Sequence, residues 1–419
     1  PTLPYLGLFS GPGRDAEEIV LLQHSSGTTG LQKGVALSHR AVIRQLDTYR
    51  ETLHLHPEDV IVSWLPLYHD MGLIAGFIMP VAQGVPLVLM SPFDWVVAPY
   101  RILQAVSQYK GTLSWLPNFA YNFCAQKIRE RDIAEVDLSS WRAISNCSEP
   151  MRWESHQQFY ERFKSKGLRY EALTTCYAMA ENVFAVSQGG IDGPVQTLEV
   201  DAVTLINQRK LASPETGKPA LTLLSAGKPV PNTQVRILGE HRRQLAEDEI
   251  GEIALQSDCM LTGYYHRPDA TRASLYNGWL LTGDLGFLHQ GEVYVIGRKK
   301  DLIIVGGKNI FPQDLENLAY TVEGIHPGRA VAFGVMNEQL GTEEVVIVAE
   351  MEAGLDDPEL ASELASKLEG KVRMAVIQGS EIAPRVVKVV PPPWILKTSS
   401  GKTARGANRE KYLSQFGGE

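Results

Sequence analysis

The sequence predicts an α/β protein. A large first domain is built on a largely parallel α/β layer and completed by a small β-barrel or β-rich subdomain, and a smaller α+β domain follows at the C-terminus. Three observations lead there. Apolar, strand-like runs alternate with helical patterns through the first two hundred residues, the pattern of a parallel sheet covered by helices. After about Leu221 the texture changes to short strands spaced by turns. After Lys300 a shorter unit mixes helix and strand. A chain of 419 residues is too long for one compact core. We therefore expect a large domain over residues 1–299, with its β-rich part at about 221–299, and a small domain over 300–419.

Taken in order, Ile19 to Leu22 is an apolar run that reads as a strand. Ile61 to Trp64, Leu87 to Met90 and Thr112 to Trp115 have the short, uninterrupted apolar character of buried strands, whereas Pro99 to Lys110 and Glu154 to Lys166 read as helices. Met71 to Met90 is 20 residues without a charge, long enough to raise the question of a membrane span. It contains Pro80, Pro86 and the pair Gln83-Gly84, and it directly follows His69-Asp70. It reads instead as a buried helix, a turn at Gln83-Gly84 and a buried strand from Pro86 to Met90. Gln234 to Leu238, Gly251 to Gln256 and Glu292 to Ile296 are the short strands of the β-rich part. Beyond Lys300, Pro312 to Tyr320 and Pro358 to Arg373 read as helices, and Ala330 to Gly334 and Glu344 to Glu350 as strands.

Composition narrows the function. Hydrophobic content of 44% and charged content of 21% are those of a globular protein. A net charge of −8 argues against general nucleic-acid affinity. Cys124, Cys147, Cys176 and Cys259 lie far apart with no C-x-x-C pair, which argues against a zinc site or disulfide framework and fits a reducing cytoplasm. Pro1-Thr2-Leu3-Pro4 carries no signal-peptide pattern.

Chemistry concentrates in a few strings. Ser25-Ser26-Gly27-Thr28-Thr29-Gly30-Leu31-Gln32-Lys33-Gly34 offers backbone N–H groups and hydroxyls with no bulky side chain in the way, then a full positive charge. That suits a polyphosphate. The order Lys33-Gly34 is not that of a Walker loop, and Leu396 stands where such a loop over Leu396 to Thr403 would need glycine. Gly11-Pro12-Gly13 lacks the third glycine of a dinucleotide fingerprint. Taken alone, His69 in Trp64-Leu65-Pro66-Leu67-Tyr68-His69-Asp70-Met71-Gly72 is more often structural than catalytic. Leu113-Ser114-Trp115-Leu116-Pro117-Asn118-Phe119-Ala120-Tyr121 reads on spacing alone as core packing. A Tyr ring such as that of Tyr177 can stack on a purine. Glu oxygens such as those of Glu181 suit a hard cation bound to phosphates.

In their order along the chain, from about Glu17 to Lys411, these strings resemble the adenylate-forming superfamily of acyl-CoA synthetases, peptide-synthetase adenylation domains and luciferases, and most closely its fatty acyl-AMP ligases. The resemblance implies phosphate binding by Ser25, Ser26, Gly27, Thr28, Thr29, Gly30 and Lys33. It implies an adenine and ribose site at Ser148, Glu149, Pro150, Cys176, Tyr177, Ala178, Asp284 and Arg298, with Glu181 holding Mg²⁺. His69 falls near the carboxylate pocket, the string Leu113 to Tyr121 borders the acyl tunnel, Lys300 is the hinge before a mobile small domain, and Lys402 polarises the substrate carboxylate and α-phosphate. Gln32 replaces the usual proline, and Ala178 replaces a glycine whose absence of a side chain widens the pocket floor. Only 24 residues precede Ser25, where family members carry a further helical layer, so that layer is expected on another segment or chain.

The implied reaction consumes ATP and a carboxylic acid, a fatty acid by the closest resemblance, and forms an acyl-adenylate and pyrophosphate. The acyl group then passes to a thiol. The 46 positions from Glu181 to Gly227, and in particular Val195 to Leu223, resemble the insertion of fatty acyl-AMP ligases that hinders small-domain motion. That favours an acyl carrier protein as acceptor. CoA is the alternative, and a non-catalytic or partner-dependent adenylate-binding subunit is the third reading.

Overall fold

The computed structural model describes residues 15–24, 33–217, 219–305, 308–337, 342–352, 358–398 and 401–416. Ser25, Ser26, Gly27, Thr28, Thr29 and Gly30 lie outside them. Among the described residues the main sheet has seven strands, in the spatial order Lys228–Pro229, Ala185–Gly189, Leu173–Ala178, Ala143–Cys147, Leu113–Leu116, Ile61–Ser63 and Leu87–Leu89. Pairing is parallel from Leu87–Leu89 through Leu173–Ala178 and antiparallel over the last two steps. The parallel strands Ile61–Ser63, Leu113–Leu116 and Ala143–Cys147 are wholly buried, which is why they are mostly apolar, with Ser63, Ser114, Ser145 and Asn146 as their buried polar residues.

Local chemistry sets the helices. His39–Thr52 starts where the Ser38 hydroxyl accepts the Ala41 N–H at 3.2 Å. Tyr100–Tyr109 buries Ile102, Leu103, Ala105 and Val106 along one face and ends at Lys110 in the left-handed region. The segment after His69-Asp70 is a π-helical run, Met71–Ile78, continued by the α-helix Met79–Gln83 and closed by Gly84 at φ 68°. The expected buried strand after it is Leu87–Leu89, but it is the edge of the sheet and only half covered, with Leu89 exposed. Nearby Val81, Phe93, Val96 and Val97 are exposed as well, Phe93 and Val97 to 84% and 85%. The Glu154 to Lys166 helix is Trp153–Phe163 with a final 3₁₀ turn.

The β-rich part is a curled antiparallel sheet. Thr233–Leu238 pairs with Gly251–Ser257, which pairs with Trp279–His289, which takes both Leu275–Tyr276 and Glu292–Arg298. Two backbone hydrogen bonds join Val293 to Ala226 and Gly227, just before the strand at Lys228 on the edge of the main sheet. Gly227 has φ 86°, and a Cβ there would lie 2.0 Å from the Gln188 carbonyl carbon, so no other residue fits this junction.

C-terminal to these, Ile325–Asn337 pairs antiparallel with Thr342–Met351, which pairs parallel with Val386–Val390. The helix Pro312–Tyr320 has the bounds expected from sequence. Pro358–Ser380 runs seven residues past the expected end, because Leu368, Val372 and Val376 continue its buried face. Arg405–Phe416 is a further helix. The apolar core beneath the main sheet is distinct from two smaller clusters in this part.

Val195 to Leu223 forms a hairpin, Thr197–Asp201 with Ala220–Leu224, carrying the helix Ala202–Gln208 between its strands. Asp201 caps that helix through the Thr204 N–H at 2.7 Å. The expected packing against the large domain is only part of its contact. Ile206 is buried in the C-terminal cluster with Ile310 and Leu315, and Arg209 lies over the Phe311 ring at 5.8 Å. The hairpin side of the stretch touches Trp153–Phe163. Among the described residues no helix is long and apolar enough to cross a membrane.

Candidate active site

The C-terminal ends of the parallel strands carry the chemistry, as the open α/β layout dictates. After Ile61–Ser63 the chain turns through Pro66 to His69, whose N–H donates to the Pro66 carbonyl. His69 Nδ1 lies 2.6 Å from Asp70 Oδ1, and both side chains are nearly buried. The Met71 N–H approaches the same Nδ1 at 3.3 Å, so this edge of the ring is held between Asp70 and the start of the next helix. Burial would push the Asp70 carboxyl up, but His69, Lys402 and the Met71 N–H outweigh it and hold it below the ordinary carboxylate range.

Lys402 reaches this place from a hairpin in the C-terminal part. The Thr398 N–H donates to the Lys402 carbonyl at 2.7 Å, Lys397 bridges Thr403, and Gly401 supplies the left-handed turn at φ 84°. Burial lowers the Lys402 pKa. Asp70 and Glu149 oppose that, and Arg298 adds to it. Four groups predicted separately, His69, Glu149, Arg298 and Lys402, therefore share one electrostatic neighbourhood with Asp70. Glu149 accepts the Phe119 N–H at 2.9 Å, and burial pushes its carboxyl up against the pull of that bond and of Lys397 and Lys402. Phe119 sits under this hairpin, with Lys397 Nζ 5.8 Å from its ring centre. Behind it, Trp64 and Trp95 stack at 3.6 Å and 5°, and both present edges to Phe119.

A second cluster is built on Asp284. The Tyr177 hydroxyl donates to Oδ2 at 2.7 Å, and Arg298 Nε lies 3.0 Å from Oδ1. Burial and Asp284 together push the Tyr177 hydroxyl far up, and Asp284 raises the Arg298 pKa. Asp284 is nearly buried, and a carboxylate has lone pairs beyond those taken by Tyr177 and Arg298. A third cluster joins Lys33 to Glu181 through Tyr264. The Lys33 ammonium lies 4.7 Å from the Tyr264 ring centre, and the Tyr264 hydroxyl donates to Glu181 Oε1 at 2.9 Å. Burial pushes the Glu181 carboxyl up, and Tyr264 and Arg298 counter it.

The other expected residues take lesser positions. Ser148 adopts φ 71° and is half-buried, and Pro150 is exposed. The Cys176 thiol is buried and meets the Tyr49 hydroxyl at 3.8 Å, inside the sheet. Ala178 is half-buried at the strand end. Lys300 is exposed in the short turn Lys299–Asp301. On one side of it Arg298 is tied to Asp284, and on the other Asp301 accepts from Arg405 at 3.1 Å. Sequence reasoning missed Tyr264, Lys397 and the role of Asp70. Asp70 lies in the His69 string and Lys397 in the Lys402 string, whereas Tyr264 carries no spacing signal.

With this geometry in view, comparison with known proteins identifies the family. Residues 9–265 match the AMP-binding enzyme family. The medium-chain-fatty-acid–[acyl-carrier-protein] ligase JamA of Moorena producens is 34% identical over 416 residues, covering 96% of this chain and 69% of that protein. A structure from work on fatty acyl-adenylate ligases of E. coli and L. pneumophila superposes with a TM-score of 0.86 at 33% identity, over 96% of this chain and 70% of that one. The L. pneumophila fatty acyl-adenylate ligase in complex with acyl adenylate and pyrophosphate gives 0.68 at 32%, over 96% and 71%. The chain therefore belongs to the AMP-binding enzymes, the adenylate-forming superfamily of AMP-forming acid ligases, and stands close to the fatty acyl-AMP ligases.

Proposed function

We propose that this protein activates a fatty or related carboxylic acid with ATP and passes the acyl group to an acyl carrier protein. The observation that carries the reading is the Lys402 hairpin lying over Phe119, whose N–H is bonded to Glu149, with Lys402 in the field of Asp70, Glu149 and Arg298. A carboxylate oxygen attacks the α-phosphorus, the bond to the bridging β-oxygen breaks, and pyrophosphate leaves with the electron pair. Two anions must approach, so the protein's contribution is neutralisation and alignment. Lys402 offsets charge on the attacking and α-phosphate oxygens, His69 stands at the carboxylate pocket beside Asp70, and Asp284 takes the ribose hydroxyls beside Tyr177. Ser148, Glu149, Pro150 and Ala178 frame the adenine, with the Cys176 side chain turned into the sheet behind them, and Lys33 with Ser25 to Gly30 holds the leaving phosphates.

Glu181 fits Mg²⁺. It is a single buried carboxylate beside the lysine side of the site, and a cation bound mainly by phosphates and water needs one such ligand. When bound, that ion neutralises the phosphates.

The two anchors flanking Lys300 support a hinge there and a division of the chain into 1–299 and 300–419. A hinge residue between two clamped ends absorbs the backbone change on its own. The insertion helix supports carrier protein over CoA, because Ile206 ties it to the C-terminal part while its hairpin touches Trp153–Phe163. A bias of about 3 kcal/mol between orientations leaves about 1% in the disfavoured one, which a carrier surface can repay and a small thiol cannot. We also infer that the exposed apolar face at Val81, Leu89, Phe93 and Val97 is covered by a further segment or chain, and that the protein acts in the cytoplasm.

The test supplies a fatty acid, ATP and Mg²⁺ to protein with that face covered. It reads acid-dependent ATP–pyrophosphate exchange, then offers CoA or phosphopantetheinylated carrier protein, with and without Ile206→Ala. Exchange, acyl-carrier product and a rise in acyl-CoA in the variant are expected. Rapid acyl-CoA formation by the wild type would favour the acyl-CoA synthetase reading. Nucleotide binding without exchange would favour a non-catalytic subunit.

A further inference from the structure

A cleft of about 650 Å³ is lined by Lys33 and by Tyr264, whose hydroxyl donates to Glu181. Thr282 and Gly283, next in sequence to Asp284, line it together with the turn Gly239 to Arg242 and with Lys299. Its size lies in the range of roughly 300–1,000 Å³ typical of small-ligand sites. Arg242, His241, Lys299 and Lys33 bring positive or protonatable groups, against the carboxylates of Glu240 and Glu252. Glu252 is already committed to Lys299 at 2.9 Å. The Arg242 guanidinium is held over the Tyr276 ring at 4.2 Å. The rim turn is closed by the Gly239 N–H donating to the Arg243 carbonyl at 2.8 Å. Inside it two successive non-glycine residues, His241 and Arg242, sit at φ 53° and 60°. Left-handed backbone costs energy at each such residue and persists where surroundings impose it. Here it projects a histidine and an arginine over the cleft that leads from Lys33.

We propose that this cleft is the exit vestibule for pyrophosphate, with Arg242 and His241 as its receiving groups and Lys299 as a second cation exchanged from Glu252. The proposal rests on the adenylation reading above. Pyrophosphate leaving with its metal carries a small net negative charge, and a lining of mixed sign, weakly positive overall, suits a product that must be drawn off and then released. The vestibule also gives the reverse reaction its entry, so pyrophosphate enters past Arg242 before it reaches Lys33.

The experiment has two independent readouts. Calorimetry with magnesium pyrophosphate alone, on the nucleotide-free protein, reads binding without any activity. ATP–pyrophosphate exchange reads the half-saturating concentrations of pyrophosphate and of ATP. For Arg242→Ala we expect pyrophosphate affinity to fall at least fivefold in calorimetry. In exchange, the half-saturating pyrophosphate should rise at least fivefold more than that of ATP, and Arg242→Lys should recover most of the loss. Gly at position 241 relaxes the turn, so His241→Gly should weaken pyrophosphate in the same direction. Equal effects on pyrophosphate and ATP, or unchanged pyrophosphate affinity in Arg242→Ala, would overturn the vestibule. A wild type that binds pyrophosphate through Arg242 yet catalyses no exchange would refute the adenylation reading and leave the anion site standing.

Discussion

Truncating Lys402 to alanine separates chemistry from binding. The hairpin that presents it is held by backbone bonds, from the Thr398 N–H to the Lys402 carbonyl and from the Ala404 N–H to Leu396, so loss of the side chain leaves the loop in place. The nucleotide contacts assigned to Asp284, Tyr177 and Arg298 do not involve it. The lost interaction is that of a half-buried ammonium with charge that develops during attack. Removing one such aimed donor costs about 2.7–4 kcal/mol, or roughly 100- to 1,000-fold in rate. ATP affinity is expected to change by less than about tenfold, or ~1.4 kcal/mol. Asp70 also loses one of the charges holding its carboxyl down, so the acid limb of the pH profile should move to higher pH. The assay pairs single-turnover trapping of the acyl-adenylate as a hydroxamate with calorimetric ATP binding. A rate loss under about fivefold, or an equal loss in rate and ATP affinity, would refute the reasoning.

Asp314 has its carboxyl pushed up to about 7 by burial, with Glu316 adding and Arg152 opposing. The folded state then holds a proton that the unfolded chain releases near 4, so stability from this group falls as pH rises from about 4 to about 7; Asp314→Asn should raise Tm at pH 8 more than at pH 4, and an equal shift at both would contradict this. Asp59 receives two bonds from Arg142, at 2.8 and 2.7 Å, and others from Thr112 and the His56 N–H. Burial raises its pKa, but these partners lower it further, so its contribution is present above the unfolded pKa and lost as pH falls through the folded one. Asp59→Asn should cost about 3 kcal/mol at pH 7 in denaturant melts and much less at pH 3; no difference between the two would count against the pair. Tyr264→Phe keeps the ring over Lys33 but removes the hydroxyl bond to Glu181. The Mg²⁺ concentration for half-maximal activity should rise about three- to tenfold, and an unchanged Mg²⁺ requirement would detach Tyr264 from the metal site.

Much of the fold was legible because burial is two-sided in a parallel sheet. Ile61–Ser63 and Leu113–Leu116 are buried on both faces, and apolar but for Ser63 and Ser114, for that reason. Pro312–Tyr320 was legible at both ends because Pro312 opens it and its buried positions stop at Ala319. Arg405–Phe416 was not, since its mean composition is polar and its buried face is only Asn408, which bonds the Leu396 carbonyl, and the aromatic rings of Tyr412 and Phe416. Val386–Val390 was hidden between the end of a long helix and a run of three prolines. In the site, residues inside dense strings were found. Tyr264 was not, because it acts by lying between two groups 148 positions apart, Lys33 and Glu181, and such a relation exists only in three dimensions.

Trp64 and Trp95, parallel and 3.6 Å apart, are optically one unit rather than two. Their transitions couple, so the pair gives a split near-ultraviolet circular dichroism band and shifted emission that neither indole would give alone. Phe119 touches both rings and lies under the hairpin of Lys402. Movement of that hairpin, or an acyl chain pressing on Phe119, alters the coupling angle. The protein thus carries a label-free optical reporter of the events at its own active site.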